Sequence, residues 1–184
     1  MNIQTERLLL RPLKLSDASD IQRLAGDRDV ASTTRNIPHP YEDGMAEKWI
    51  KSCQERSDAG ELVSFAITLH SSGTFLGAIE LHPDTGSRQA ELGYWVGKPY
   101  WNQGYATEAV KAVIHHVLID LNLDLVYAAH FTRNPASGRV MQKAGMLHEG
   151  FLKGHTEKWG QLEDLELYGV TMEQFGRRGS TGSP

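Results

Sequence analysis

The sequence predicts a mixed α/β fold, on the strength of three observations. Apolar residues first recur at helical spacing, with Met45, Trp49 and Cys53 four apart. From Leu62 the period shortens to that of strands, in Leu62–Leu69 and Phe75–Leu81. Beyond Tyr105, helical and short apolar stretches alternate, so that grouped strands are followed by a βαβα order.

Taken in order, Leu8-Leu9-Leu10 between Arg7 and Arg11 reads as a short strand ended by Pro12. Ser16 is placed to cap a helix whose first turn carries Asp17 and Asp20 and which ends near Gly26. Residues 27–41, with Pro38 and Pro40, read as a loop or broken helix before the helix of Met45, Trp49 and Cys53. A tight Ser71-Ser72-Gly73 turn joins the two strands that follow, and Pro83-Asp84-Thr85-Gly86 marks another turn before a strand over Ala90–Val96. A helix is expected from Tyr105 to Asp120, with Ala106, Ala109, Val110, Val113 and Val117 on its apolar face. Leu125–Ala129 reads as a buried strand. Asn134-Pro135 reads as cap and first residue of a helix that Gly145 closes. Strands around 147–154 and 164–171 complete the pattern, with a hairpin near Trp159-Gly160.

The 184 residues suit one domain, expected over 1–172. Residues 173–184, rich in Gly, Ser and Arg from Gly176 on, are expected to be a disordered tail. A formal charge of -4 argues against nucleic-acid binding through a broad basic surface. A single cysteine, Cys53, precludes an internal disulfide and fits a reducing compartment. The N-terminus lacks the basic-then-apolar order of a signal peptide, and no apolar run is long enough to cross a bilayer. The expected address is the cytoplasm, with no membrane partner.

Chemistry is most legible in Tyr100-Trp101-Asn102-Gln103-Gly104-Tyr105-Ala106-Thr107-Glu108-Ala109, which joins a strand to a helix through glycine. Backbone N–H groups at such a junction point along the helix axis and suit an anion. Gly104 lets phosphate oxygens approach, Ala106 and Thr107 keep the first turn small, and Asn102 tolerates left-handed angles. The same residues would also serve an ordinary strand-to-helix turn. No G-x-G-x-x-G or G-x-S-x-G occurs, Gly93–Pro99 falls short of a P-loop, and no histidine spacing, the His115-His116 pair included, resembles a zinc site, so no metal is expected.

The company of that turn narrows the choice. Thr5-Glu6-Arg7-Leu8-Leu9-Leu10-Arg11-Pro12, Glu91–Val96 with Tyr100–Ala109, Asn134-Pro135-Ala136-Ser137 and Lys143-Ala144-Gly145-Met146 stand in the order of the GNAT superfamily. Together they resemble its RimJ/RimL-like branch of ribosomal-protein N-acetyltransferases. Trp101 stands where the superfamily often has Arg or Gln, which shifts the expected phosphate contacts onto the backbone N–H groups of Gly104, Tyr105, Ala106 and Thr107 and onto Gln103. Met146 replaces the usual Phe.

The resemblance implies the GNAT fold: a central, mostly antiparallel sheet with two splayed parallel strands, flanked by helices. It implies acetyl-CoA as co-substrate and a pantetheine arm lying between the strand ending at Val96 and that at Leu125–Ala129, bonded to backbone near Trp95 and Val96. The side chains of Tyr94 and Trp95 then read as core aromatics. Asn134 can both cap its helix and touch the pantetheine. Glu91 resembles the general base of histone-acetylating members, or is a strand-end charge paired with Arg88 or backbone; Glu80 is second choice. Ser137 resembles the residue that meets the leaving thiolate, or is a helix-start serine. Cys53 could carry an acetyl group in a ping-pong route, but its apolar helix face reads as core. The loop 32–41 and the hairpin 155–161, with Arg35, His39, Tyr41, Glu157 and Trp159, would shape the acceptor cleft. The acceptor is a primary amine, either a protein N-terminus or a small molecule such as a polyamine, antibiotic or metabolite. A non-catalytic acyl-CoA-binding module is the alternative of another class, and related enzymes imply a possible homodimer.

Overall fold

The computed structural model describes residues 1–179 of the chain. One eight-stranded sheet organises it, in the order β1-β2-β3-β4-β5-β6-β8-β7. The strands are β1 (Ile3–Gln4), β2 (Leu8–Arg11), β3 (Val63–Leu69), β4 (Phe75–Pro83), β5 (Gln89–Val96), β6 (Leu125–Phe131), β7 (Leu147–Lys158) and β8 (Gln161–Thr171). The helices are α1 (Ala18–Ala25), α2 (Arg28–Ser32), α3 (Met45–Asp58), α4 (Tyr105–His115), α5 (Pro135–Lys143) and α6 (Met172–Gly179). Neighbouring strands pair antiparallel except β5 and β6, which the α4 crossover makes parallel.

That parallel ladder is short. It joins Gln89 to Leu125, Ala90 to Val126 and Glu91 to Tyr127, then stops, while β6 stays paired to β8 as far as Phe131–Leu165. The strands therefore splay apart beyond Glu91, as expected from the resemblance to the superfamily.

Two apolar clusters sandwich the sheet. Ala90, Leu92 and Val96 of β5 pack with Val110, Val113 and Ile114 of α4 and Met141 of α5. On the other face, Ile21 and Leu24 of α1 meet Ala46, Ile50 and Cys53 of α3 over Ala66 and Phe75. The α3 stripe thus runs through Ala46 and Ile50, because a helix drifts by 3.6 residues per turn. Met45 and Trp49 are half-buried at its margin.

Several expectations shift. The first helix opens with a tight turn, Leu15–Asp17, served by Asp17 and not by Ser16. The Asp17 carboxylate accepts the Lys14 N–H at 2.9 Å and pairs bidentately with the Arg11 guanidinium at 2.9 and 2.7 Å. The region 27–41 contains the short α2, β1 precedes the first predicted strand, and α4 ends in a π-helical turn over His116–Asp120. Trp159 and Gly160, at φ 51° and 77°, form the predicted hairpin turn between longer strands than expected. The expected tail is in part a helix, α6, because Thr171 and Gln174 cap one another. The Gln174 side chain accepts the Thr171 N–H at 2.9 Å and the Thr171 hydroxyl accepts the Gln174 N–H at 3.2 Å. Phe175 then packs edge-on to His115, ring centres 5.9 Å apart. The remainder of that tail, 180–184, lies outside the described residues. Among the described residues no helix is long and apolar enough to cross a membrane.

Burial alone would raise the Asp17 carboxyl, but the Arg11 guanidinium and Lys14 N–H more than offset it and hold it below the usual carboxylate range. The linked stabilisation is complete above the unfolded value, about 3.9, and is lost as pH falls through the folded one. Asp17→Ala, which leaves Arg11 largely buried without its partner, is expected to lower stability by about 2–3 kcal/mol at neutral pH. Urea unfolding should show that gap shrinking as pH drops below about 4.

Candidate active site

The loop after β5 is braced before it reaches its glycine. The Trp101 indole donates to the Val96 carbonyl at 2.7 Å, and the Gln103 amide donates to the Pro99 carbonyl at 3.1 Å. Asn102 takes a φ of 60° and Gly104 one of 81°, so the chain turns sharply onto α4. No side chain caps that start, and the first backbone bond of the helix runs from the Glu108 N–H to the Gly104 carbonyl at 3.0 Å. The N–H groups of Gly104, Tyr105, Ala106 and Thr107 consequently stand outside the helix ladder and point at one spot. The Gln103 side chain supports the loop instead of facing that spot.

Sequence reading passed over Arg7, which is here the cation nearest the turn. Its Nη1 donates to the Gln103 carbonyl at 2.9 Å, its Nε pairs with Glu108 at 2.7 Å, and its guanidinium lies 4.6 Å above the Tyr105 ring. A Cβ on Gly104 would come within 3.2 Å of its Nη2. Glu108 also accepts from the Thr5 hydroxyl at 2.6 Å and the Arg7 N–H at 2.8 Å. Burial would raise Glu108, but these donors and the Arg7 charge hold it low. Thr5-x-Arg7 reads as strand flank in one dimension, since its partner lies 101 positions away.

A cavity of about 420 Å³ begins at this turn and runs between β5 and α5, where Arg139 and Lys143 line its far side. Asn134 lines it too, and its side chain makes no cap bond, contrary to the Asn-Pro expectation; its backbone (φ -114°, ψ 71°) lies outside the extended range usual for a cap. The Gly97 N–H bonds to the Leu76 carbonyl at 2.8 Å, and along an antiparallel pair the bonding direction alternates. By that parity Trp95 turns its backbone to β4, while Tyr94 and Val96 turn theirs to the gap. The Val96 carbonyl is already taken by Trp101, leaving its N–H. Open helix-start donors, a glycine approach and this free strand edge fit the pyrophosphate and the amide-bearing arm of coenzyme A.

A second cavity, about 640 Å³, lies on the α1–α3 side of the sheet. The two meet at Thr33, Thr34, Tyr94, Trp95 and Ser137, at the point where β5 and β6 part. Its floor carries Glu80, His82 and Glu91, which share a face because Glu80 pairs with Gly93 and His82 with Glu91. Glu91 binds Arg35 of the α2–α3 loop at 3.3 Å; Arg88 pairs with Asp124 instead. Glu80 holds His82 at 3.2 Å and accepts from the Cys53 thiol at 3.6 Å. Burial, reinforced by the Glu80 charge, pushes that thiol up to about 12, which keeps it protonated and rules against a thiolate nucleophile.

Ser137, at the start of α5, faces the junction through an unexpected partner. The Tyr94 hydroxyl lies 2.8 Å from its Oγ and donates to its carbonyl at 3.2 Å. Tyr94 is thus more than a core aromatic; enclosure pushes its phenol upward, so it keeps its proton at neutral pH. Only the fold could pair residues 43 positions apart.

The loop 32–41 lines the second cavity, whereas the hairpin residues Glu157 and Trp159 do not. The hairpin anchors the loop instead. The buried Lys158 ammonium donates to the Ile37 carbonyl at 2.9 Å, and Trp159 packs against His39 at 6.0 Å and under Arg28 at 5.0 Å. Desolvation lowers Lys158, helped by the Arg133 charge.

A parted parallel strand pair, with an anion-accepting helix start on one strand and carboxylates on its opposite face, defines an acyl-CoA-dependent transferase. The sequence signature of the acetyltransferase (GNAT) domain matches residues 7–147. The chain belongs to the GNAT family and is an N-acetyltransferase that uses acetyl-CoA. It is 30% identical over 176 residues to "Uncharacterized N-acetyltransferase YnaD" of Bacillus subtilis, covering 95% of this chain and 99% of that one. It is 26% identical over 132 residues to "Ribosomal-protein-serine acetyltransferase" of Escherichia coli, covering 65% and 74%. The solved structure of RimL, a ribosomal L7/L12 alpha-N-protein acetyltransferase in complex with coenzyme A, superposes with a TM-score of 0.86 at 16% identity, covering 95% and 99%, which shows the shared fold.

Gly104→Val sets a branched residue at a φ of 81° and crowds Arg7. It is expected to weaken acetyl-CoA at least about tenfold and to cost about 1–2 kcal/mol of stability, with the fold retained. Arg7→Met, which unties the loop without backbone strain, should give a smaller loss of affinity. Calorimetric titration of acetyl-CoA checks both.

Proposed function

We propose that this protein moves an acetyl group from acetyl-CoA to a primary amine that enters the larger cavity and attacks directly at the parting of β5 and β6. The observation that carries this reading is the meeting of the two cavities at Tyr94 and Ser137, one side built for a cofactor and the other lined by carboxylates. When bound, acetyl-CoA supplies an acyl carbon activated by a good leaving group. The N–H groups of Tyr105, Ala106 and Thr107 hold its phosphates, with Arg7, Arg139 and Lys143 as nearby cations. The Val96 N–H and the free amide of Asn134 hold its arm.

An ammonium has no lone pair, so the acceptor must first lose a proton. Glu91 takes this proton, with Glu80 and His82 as the alternative acceptor on the same floor. The Glu91–Arg35 pair is only half-buried, and an incoming ammonium replaces Arg35 as its partner. The Tyr94 phenol, coupled to Ser137, donates to the departing sulfur. Their hydrogen bond links side chains of β5 and α5 on either side of the gap.

A protein N-terminal amine is supported by the similarity to the Escherichia coli ribosomal-protein-serine acetyltransferase. A small amine is favoured by the α2–α3 loop, which Lys158 holds at Ile37 beside the cavity while Arg133 holds Ser32 at the end of α2. Incubation with acetyl-CoA and a panel of N-terminal peptides, polyamines and amino-acid amines, with free thiol followed, separates the two. Turnover confined to small amines would remove the protein N-terminus, and failure to bind acetyl-CoA would remove the whole reading.

Glu91→Gln is expected to cut kcat about a hundredfold while acetyl-CoA binds normally, with Glu80→Gln having the lesser effect. An unchanged pH–rate profile in Glu91→Gln would shift the role to Glu80. Tyr94→Phe should lower kcat about tenfold, read as the rate of coenzyme A thiol release at saturating amine.

A further inference from the structure

Making an amide from an ammonium and a thioester releases two protons from nitrogen. The first leaves before attack; the second leaves as the C–N bond forms and the C–S bond breaks, and the departing sulfur takes one up. Glu91 and Glu80 lie on the α3 face of the sheet, and the Tyr94–Ser137 pair lies on the α5 face. The second proton therefore calls for an acceptor on the α5 face, between the cavity and that pair.

His130 of β6 lies on that face, against Gly138 beside Ser137. It is 8% exposed and lines the larger cavity with Ala129, Ser137 and Met141. Its Nδ1 lies 2.7 Å from the Phe131 carbonyl, an oxygen that can only accept, so Nδ1 carries a proton and donates it. Its Nε2, buried, has no partner among the described residues. A buried polar atom left unpaired costs roughly 1–3 kcal/mol, so this lone pair is held open against a cost. The room comes from Gly138, next to Ser137: a Cβ there would stand 2.7 Å from Nε2 and 3.4 Å from the Tyr168 hydroxyl.

The titratable groups around the ring do not occupy that lone pair. Glu166 stands across from His130 in β8 but turns its carboxylate to His148, at 2.6 Å. Tyr168 lies ring to ring with His130 at 5.7 Å, its hydroxyl accepting from Gln142 of α5 at 3.1 Å.

We infer that His130 is a catalytic residue for this proposed transfer: its Nε2 accepts the second amine proton as the C–N bond forms and returns it, through the Tyr94–Ser137 pair, to the sulfur as the C–S bond breaks. One proton leaves nitrogen and one reaches sulfur, so the imidazole ends the cycle as it began. The first proton goes to Glu91 and on to solvent. The inference rests on the reading given under Proposed function, whose own test is acetyl-CoA binding and any amine turnover.

His130→Asn retains a donor for the Phe131 carbonyl and removes the Nε2 edge. The probes are acetyl-CoA with a short serine-initiated peptide and, in parallel, with cadaverine, each followed by thiol release. The expected result is a drop in kcat of about a hundredfold on whichever probe turns over, with KM for the amine and the dissociation constant of acetyl-CoA within about twofold. Should His130→Asn fail to fold, Gly138→Ala decides, since its methyl group would stand 2.7 Å from Nε2 and must push the imidazole out of its place; the same loss of kcat is expected. Wild-type kcat in either folded variant would overturn the inference and leave His130 a structural residue, with the proposed function standing. A wild-type protein that binds acetyl-CoA but acetylates neither probe would remove the proposed transfer to these amines, and the role of His130 with it.

Discussion

The parallel pairing of β5 with β6 extends for only three residue pairs, and nearly everything in the site depends on where it stops. A ladder continued past Glu91 and Tyr127 would tie up the backbone groups of Tyr94 and Val96 and close the sheet. Instead β6 follows β8, and the start of α5 leans over the opening with Ser137 bonded to Tyr94. An unpaired strand edge inside a protein is a standing demand for a hydrogen-bonding partner. An amide-bearing cofactor arm meets that demand in the function proposed above, and the same opening joins the two cavities.

Polar groups are distributed around this opening by face. The smaller cavity, proposed for the cofactor, is bordered by open amide N–H groups, Arg7, Arg139 and Lys143, and Glu108 serves to hold Arg7 in place. The larger cavity, proposed for the acceptor, carries Glu80 and Glu91, each already engaged, one with His82 and the other with Arg35. His130 differs from all of these in having a lone pair without a partner. Rigidity comes from the periphery. Lys158 is drawn into the protein to hold Ile37, and Arg133 reaches Ser32, so the loop over the acceptor cavity is fixed by a hairpin that does not touch that cavity.

Local chemistry explains how far one-dimensional reading reached. The Gly104 turn, the strand period of β3 to β5, the Trp159-Gly160 hairpin and the end of α1 at Gly26 are all decided by neighbours within a few residues. Thr171 and Gln174 show that a legible signal can still be overridden by composition: the reciprocal cap was present in the sequence, but the glycine- and arginine-rich stretch after it argued for disorder. Asn134 shows the converse, a residue type and position that predict a cap whose side chain makes no cap bond.

By itself the sequence determined the mixed α/β class, most of the element order and the glycine turn at Gly104, because periodicity and glycine placement are local properties; resemblance to the superfamily singled out Glu91, Ser137 and Asn134 as candidates, with Glu80 as second choice. Only the tertiary structure decided which side chains share a face and which backbone groups stay unpaired. Arg7 beside Gly104, Tyr94 on Ser137, Arg35 on Glu91 and the open Nε2 of His130 each join residues far apart in the chain or depend on what fails to pack against them. Strand register sets such neighbours, and a shift of one residue would send every side chain of β5 to the opposite face.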